Sequence, residues 1–548
     1  MKISTLLMVL LMGQIGWQGS QKLPRPQDVS EAMVDSLTAE YYEAKLACYP
    51  ALATLKGIPG YDDKLSTYSQ RSLFGLLARI RNVGRQLSTL DEDSLSMNKW
   101  VDYKTLLADM AAQRLLLEDL ELWRRRPTLY VDACVEGITL LYLRQLGQGR
   151  PVDLAPRLRT IPTVIKHARK NLTNPTEFHC RVASERLEDL VDMLDSLAGQ
   201  VSPGESASDL LDETVASLEA FGGFLDSLSL SASTSFTMGY DDFLILSDTR
   251  NMISDMPEDT RAYARKVLDR TNEELGGYAT DVPSGEPDLA HTVDIEAIEA
   301  RTTAALDFIE TEAVASLPDG NGQESDAVRF LGLPAPVSRL YKEVLYSMPT
   351  PEAPETSGVP IYVRAEVAEP GATAGGIVAS EVFPGRYLQA SYSAYSPSEV
   401  RRMHTDIFTA NGWALYSQDL MAREGFGGDS AVRDALLRKR FYAAGTIAAV
   451  NILLGEFAVE AAADFMVKEA GVSGAYARAL AVQYALEPEL PISYIIGERQ
   501  ITRIRDEIES IQGEEFDLRV FHNSLLASGR LPLYLVRNNL ISGPVGRR

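Results

Sequence analysis

Apolar residues recur at three- and four-residue steps along most of the chain, a period that leaves room for little except helices. Between Trp100 and Trp123, Leu106, Met110, Leu117 and Leu120 fall at these steps with charged residues between them. The same period runs from Val29 to Leu55, Ala183 to Leu197 and Ile501 to Ile511. Ala443 to Leu454 is more apolar still, but Asn451 interrupts it and it is too short to span a bilayer, so it reads as a buried helix. Strand signal is sparse. Its best candidate is Ile361 to Val367, where Ile361, Val363 and Val367 share one face. These patterns predict a mostly α fold with a small β element.

Segments rich in Pro, Gly, Ser and acids at 201–208, 278–287, 317–326 and 348–360 read as exposed connections. The last divides an N-terminal helical region, 21–347, from a C-terminal one, 348–548. Residues 1–20 have the layout of a signal peptide: Lys2, an apolar stretch from Ile3 to Met12, then small and polar residues to Ser20. Export to the periplasm or the cell exterior is therefore expected, with no membrane span left after cleavage. Cys48, Cys134 and Cys180 permit at most one disulfide.

The chain of 548 residues carries 76 acidic and 53 basic side chains, a net charge of -23. That balance argues against a nucleic-acid partner, since no basic stripe is present to neutralise phosphates. Five histidines occur, none in a His-Glu-x-x-His pattern. No Gly-x-Ser-x-Gly elbow or phosphate-binding glycine loop appears either.

Two stretches carry more information: Ser380-Glu381-Val382-Phe383-Pro384-Gly385-Arg386-Tyr387-Leu388-Gln389 and Asn411-Gly412-Trp413-Ala414-Leu415-Tyr416. They resemble the motifs His-Glu-Ala-x-Pro-Gly-His-His-Leu-Gln and Glu-Gly-Trp-Ala-Leu-Tyr-x-Glu of the bacterial family known as domain of unknown function 885. Weaker likenesses lie at Pro50 to Gly57, at Ile161-Pro162, at Ala168 to Leu172, along Tyr484 to Arg505 and at Phe516 to His522. The resemblance implies a two-lobed helical, zinc-metallopeptidase-like fold with a deep central cleft, and the β element near 361–382. It also implies that both motif histidines and the glutamate before Gly-Trp bind the metal, while the glutamate after the first histidine is the general base.

On that reading this chain has lost its metal ligands. Ser380, Arg386 and Asn411 stand at the ligand positions, and Glu381 alone remains as the would-be base. Zinc takes thiolate, imidazole and carboxylate, and a guanidinium offers it only repulsion. At an effective dielectric of about 20, like unit charges ~4 Å apart repel by roughly 4 kcal/mol. The family's arginine, glutamine and lysine farther on are matched by Gln483, Leu490 and Ile495. The expectation is a catalytically inactive, exported homologue with no cofactor, binding a peptide or protein partner in its cleft.

Glu381 is expected either to pair with Arg386 or to be solvated, and Trp413 and Tyr416 to pack in the core. Arg386, Gln389 and Asn411 would converge on the old site and favour an anionic group such as a peptide carboxylate. Tyr484 and Tyr494 either line the cleft or pack structurally. Two other readings stay open: a working hydrolase with zinc on rearranged ligands, drawing on His404 and Glu381, or a structural subunit of an envelope complex.

Overall fold

The computed structural model describes residues 26–197, 205–229, 238–278, 291–292, 294–318, 328–338, 345–346, 359–364, 366–367 and 369–543. The leader-like residues 1–20 lie outside these, as do most of the segments read as connections.

The protein is mostly α-helical, and each run with the apolar period is largely helical, though the Val29–Leu55 run is split into Pro26–Cys48 and Pro50–Leu55. Those that matter here are α1 (Pro26–Cys48), α2 (Met97–Arg114), α3 (Thr128–Gly147), α4 (Pro257–Leu275), α5 (Arg386–Ala394), α6 (Ile407–Arg423), α7 (Gly428–Leu453), α8 (Glu489–Gln512) and α9 (Leu518–Ala527). The helix expected from Trp100 to Trp123 is interrupted. After α2 it widens into a π turn at Leu115–Asp119, and it breaks at Glu121, whose φ is 43°. No helix among the described residues is long and apolar enough to cross a membrane.

The β element is small and differs in detail from the expectation. Strands β1 (His291–Thr292), β2 (Val328–Gly332), β3 (Leu345–Tyr346), β4 (Val359–Val363) and β5 (Glu366–Val367) form two sheets, one ordered β2-β4-β3 and the other pairing β1 with β5. β2 runs parallel to β4 and β3 antiparallel to it. The expected strand is thus split in two, and the rest of the expected β region, 374–382, is helical. Tyr362 is buried along with Ile361 and Val363, because its hydroxyl donates to Leu143 O of α3 at 2.6 Å. Both faces of β4 are covered, so burial does not alternate.

One apolar core contains residues from α1 and α2, from β2 and β4, and from the last helices, Val34 and Val536 among them. A second, alanine-rich core surrounds α7, where Ala443, Ala444, Ala448 and Ala449 allow α4 and α8 to approach. Cys48, Cys134 and Cys180 are buried free thiols.

Helix α6 starts at Asp406, whose side chain accepts from Thr409 N, and it is buried around nearly its whole circumference. It lies against α8 at a glycine crossing. A Cβ on Gly412 would stand 2.4 Å from Gly497 C, and one on Gly497 would stand 2.0 Å from Phe408 O. Trp413 and Tyr416 do pack in the core. Trp413 Nε1 donates to Pro384 O at 2.8 Å. His522 Nδ1 donates to Val314 O at 2.7 Å, leaving Nε2 to accept from Tyr416 OH at 2.9 Å. Burial pushes the His522 pKa down to about 4, so the ring is neutral in the fold.

Two outcomes are expected. Gly497→Ala should lower stability by about 1–3 kcal/mol or more through overpacking, read from the urea midpoint. The unfolded chain protonates His522 near pH 6.5, above its folded value, so the stability its neutral ring contributes is lost as pH falls from about 6.5 towards 4. His522→Asn should remove about 2–3 kcal/mol of that loss between pH 7 and 4.5, and an unchanged pH slope would contradict the assignment.

Candidate functional site

The first motif is built on an unusual turn. Thr373 Oγ1 accepts from Gly376 N at 3.2 Å and starts a short helix, which widens into a π turn over Val378–Val382. Phe383 N closes the turn on Val378 O at 2.9 Å. Such a turn inserts a residue and shifts the side chains on it out of ordinary helical register. Ser380 and Glu381 both sit on it and both are buried. Gly385 follows where no side chain fits, since a Cβ there would lie 2.1 Å from Ser380 O. Arg386 then opens α5.

Glu381 lies between two guanidinium groups. Arg386 Nη1 donates to Glu381 Oε2 at 3.0 Å, and Arg438 Nη2 donates to Oε1 at 3.0 Å. Arg386 Nη2 also donates to Asn411 Oδ1 at 2.7 Å and to Tyr494 OH. Arg438, from α7, reaches Ser380 Oγ and donates to Gln418 Oε1 at 3.0 Å. Its Nε stands 2.6 Å from Glu369 Oε1, which also accepts from Tyr442 OH at 3.0 Å. Asn411 passes the network on, its Nδ2 donating to Ser493 Oγ at 2.8 Å.

The aromatic rings close the site from α7 and α8. Tyr442 and Tyr494 stack with centroids 3.5 Å apart and planes 13° from parallel. Arg386 lies 5.2 Å from the Tyr494 centroid and Arg438 5.9 Å from that of Tyr442. Burial would raise the Glu381 pKa, but Arg386 and Arg438 together outweigh it and hold the carboxyl below the usual range. Burial works against the charge on Arg438 too, and Glu369, Tyr442 and Glu381 more than reverse it. Two acids and two bases thus form a charge-balanced quartet, buried except at Glu369, which is partly exposed.

The expected residues do not all meet. Ser380, Glu381, Arg386, Asn411 and Tyr494 are joined by hydrogen bonds. Gln389 instead donates to Thr409 O at 3.2 Å, on the backbone of α6. Tyr484 is buried and lines a cavity of about 20 Å³ with Glu369, Tyr442, Gln483 and Pro491, room for one water. Arg386, where an anion preference was expected, faces the Glu381 carboxylate. His404 has Asp109, Lys45, Lys56 and Arg250 as its charged neighbours, not the Glu381 quartet. Among the described residues, no group of three or more His, Cys, Asp or Glu side chains is placed to hold a metal ion.

Sequence reasoning missed Arg438, Glu369, Gln418, Tyr442 and Ser493. One signal could have found Arg438: a base four residues before Tyr442, at the mouth of an apolar helix, shares that tyrosine's inward face.

A family model for bacterial proteins of unknown function, DUF885, matches residues 50–540. Among solved structures, a candidate lipoprotein of unknown function from Shewanella oneidensis superposes with a TM-score of 0.69 at 17% identity, covering 95% of this chain and 100% of its own. A candidate lipoprotein from Colwellia psychrerythraea gives 0.70 at 13% identity, covering 96% and 100%. No curated protein matches. At such identities the structural likeness carries the fold, whereas the family match extends over most of the sequence, and on that match the chain belongs to the DUF885 family.

Proposed function

We propose that this chain is an exported, non-catalytic member of its family that binds a peptide or protein partner in an inherited cleft between helical lobes and holds no zinc. The observation that carries the reading is the Arg386 guanidinium, hydrogen-bonded at once to Glu381, Asn411 and Tyr494. A guanidinium has donors only, so it cannot ligate a metal. The two oxygens at the other ligand positions, Ser380 Oγ and Asn411 Oδ1, both accept from arginines. The donor set therefore does not fit zinc.

Glu381 is equally unsuited to act as a base. Each of its oxygens accepts from a guanidinium, and its lowered pKa leaves it a weaker proton acceptor than an ordinary glutamate. Partner contact then falls on the rim of the network, near Glu369 and Tyr442, where the small cavity lies. Export is supported by the leader-like residues 1–20 and by the description of both structural relatives as candidate lipoproteins.

Metal analysis after dialysis against zinc tests the reading. The chain should retain far less than one equivalent and hydrolyse no peptide; stoichiometric zinc with chelator-sensitive hydrolysis would overturn it. Restoring Ser380→His, Arg386→His and Asn411→Glu should still fail to recruit zinc, because Arg438 stays against residue 380 and Glu381. Adding Arg438→Gln should raise zinc uptake above that of the triple variant, and equal uptake by both would show that Arg438 is not the obstacle. Glu381→Gln alone should cost about 3–5 kcal/mol in denaturant unfolding, since it removes the counter-charge that Arg386 and Arg438 share and leaves Glu369 as the quartet's one acid.

A further inference from the structure

A groove of about 460 Å³ lies between α2 and the helix Gln70–Leu87 before it, and no residue of the Glu381 network lines it. Leu107, Met110, Ala111 and Arg114 follow i, i+3, i+4 and i+7 along α2, while Ile80, Arg81, Gly84 and Arg85 form two adjoining rows on its neighbour. The floor is apolar. Ile80 and Met110 are buried, and Leu107 and Ala111 are half-buried. Gly84 keeps the groove open, because a Cβ there would meet only Met110 Cε, at 3.6 Å.

Arg81, Arg85 and Arg114 rim this floor, and all three are exposed. Arg81 pairs with Glu118, whereas Arg85 donates to the neutral Asn82 Oδ1 at 3.4 Å. Among the described residues, no carboxylate lies within ion-pair distance of Arg85 or Arg114. In a chain of net charge -23, two guanidinium groups left without counter-ions over an apolar floor favour an anion from outside.

The floor and the volume narrow the choice of anion. A small inorganic anion would leave the apolar floor unused. A stable protein partner would need about 800 Å² on this side, and none of the floor residues is among the large apolar side chains that the chain exposes. The volume instead falls in the range of small-molecule sites, about 300–1,000 Å³. Rim and floor together are complementary to an anion that carries a hydrocarbon tail.

We propose that this groove binds a free fatty acid, its carboxylate on the arginine rim and its chain over Ile80, Gly84, Leu107 and Ala111. The site is separate from the Glu381 centre and does not rest on that centre being inert.

Calorimetric titration of the full chain with hexanoate, decanoate and decanol tests the site. Decanoate should bind about tenfold or more tighter than hexanoate, whose shorter chain covers less of the floor. It should also bind about threefold or more tighter than decanol, which lacks the charge. Gly84→Leu fills the groove at a helical position with room for a Cβ, so it should keep the melting temperature and weaken decanoate binding about tenfold or more. Arg85→Gln combined with Arg114→Gln should weaken decanoate about threefold or more and leave decanol within about twofold. No decanoate binding, equal affinity for hexanoate and decanoate, or unchanged binding in either folded variant overturns the proposal. Binding to phosphatidylglycerol vesicles without binding to decanoate assigns the rim to a lipid surface and overturns it as well. A measurement without a variant guards against misfolding: bound decanoate should slow phenylglyoxal modification of Arg85 and Arg114, mapped by peptide mass, and spare Arg478, which is 58% exposed. Equal rates at Arg85 and Arg114 with and without decanoate also overturn it.

Discussion

A carboxylate clasped by two guanidinium groups away from water sets the terms for everything packed around it. An isolated charge in such a place is costly, and a pair is tolerable only when each remaining donor and acceptor finds a partner. The protein approaches that condition by drawing in Glu369, Tyr494, and Asn411 and Gln418 of α6. The helices bearing them must then hold position closely. The glycine crossing of α6 and α8 supplies that, since Asn411 precedes Gly412 directly and Tyr494 lies one helical turn before Gly497.

Helix positions were legible because amphipathic periodicity is local, and the buried fate of Ala443 to Leu454 followed from its apolarity alone. The π turn at Val378–Val382 was not, for no residue pattern distinguishes a wide turn from the strand expected there. The Glu381–Arg386 pair was one of two expected fates of that carboxylate, the other being solvation, and its second clasp was not expected at all. Arg438-Lys439-Arg440 looks like a solvated basic run, yet its members part company. Arg438 enters the quartet, Lys439 pairs with Glu498 at 2.8 Å, and Arg440 donates to Ala470 O at 3.2 Å. Only long-range packing decides such assignments.

Arg386 and Arg85 show how far charge alone misleads. Arg386 is a base at a motif position, and the sequence made it the better candidate for capturing an anion. The fold gives Arg386 an internal counter-ion and leaves Arg85 with an amide acceptor. The difference lies in what each element brings within reach: the π turn carries Glu381 to Arg386, while the helix Gln70–Leu87 brings Arg85 only the neutral Asn82.

The quartet also bears on how readily Glu381 can be replaced. Once arginines stand on either side of it, loss of this acid by itself leaves two arginines with Glu369 as the one acid of the quartet, whereas removing acid and base together is far less damaging. With Arg386 and Arg438 in place, the carboxylate between them is hard to discard by a single mutation. A buried glutamate can therefore be held purely as a structural counterweight, and its presence is no testimony to chemistry.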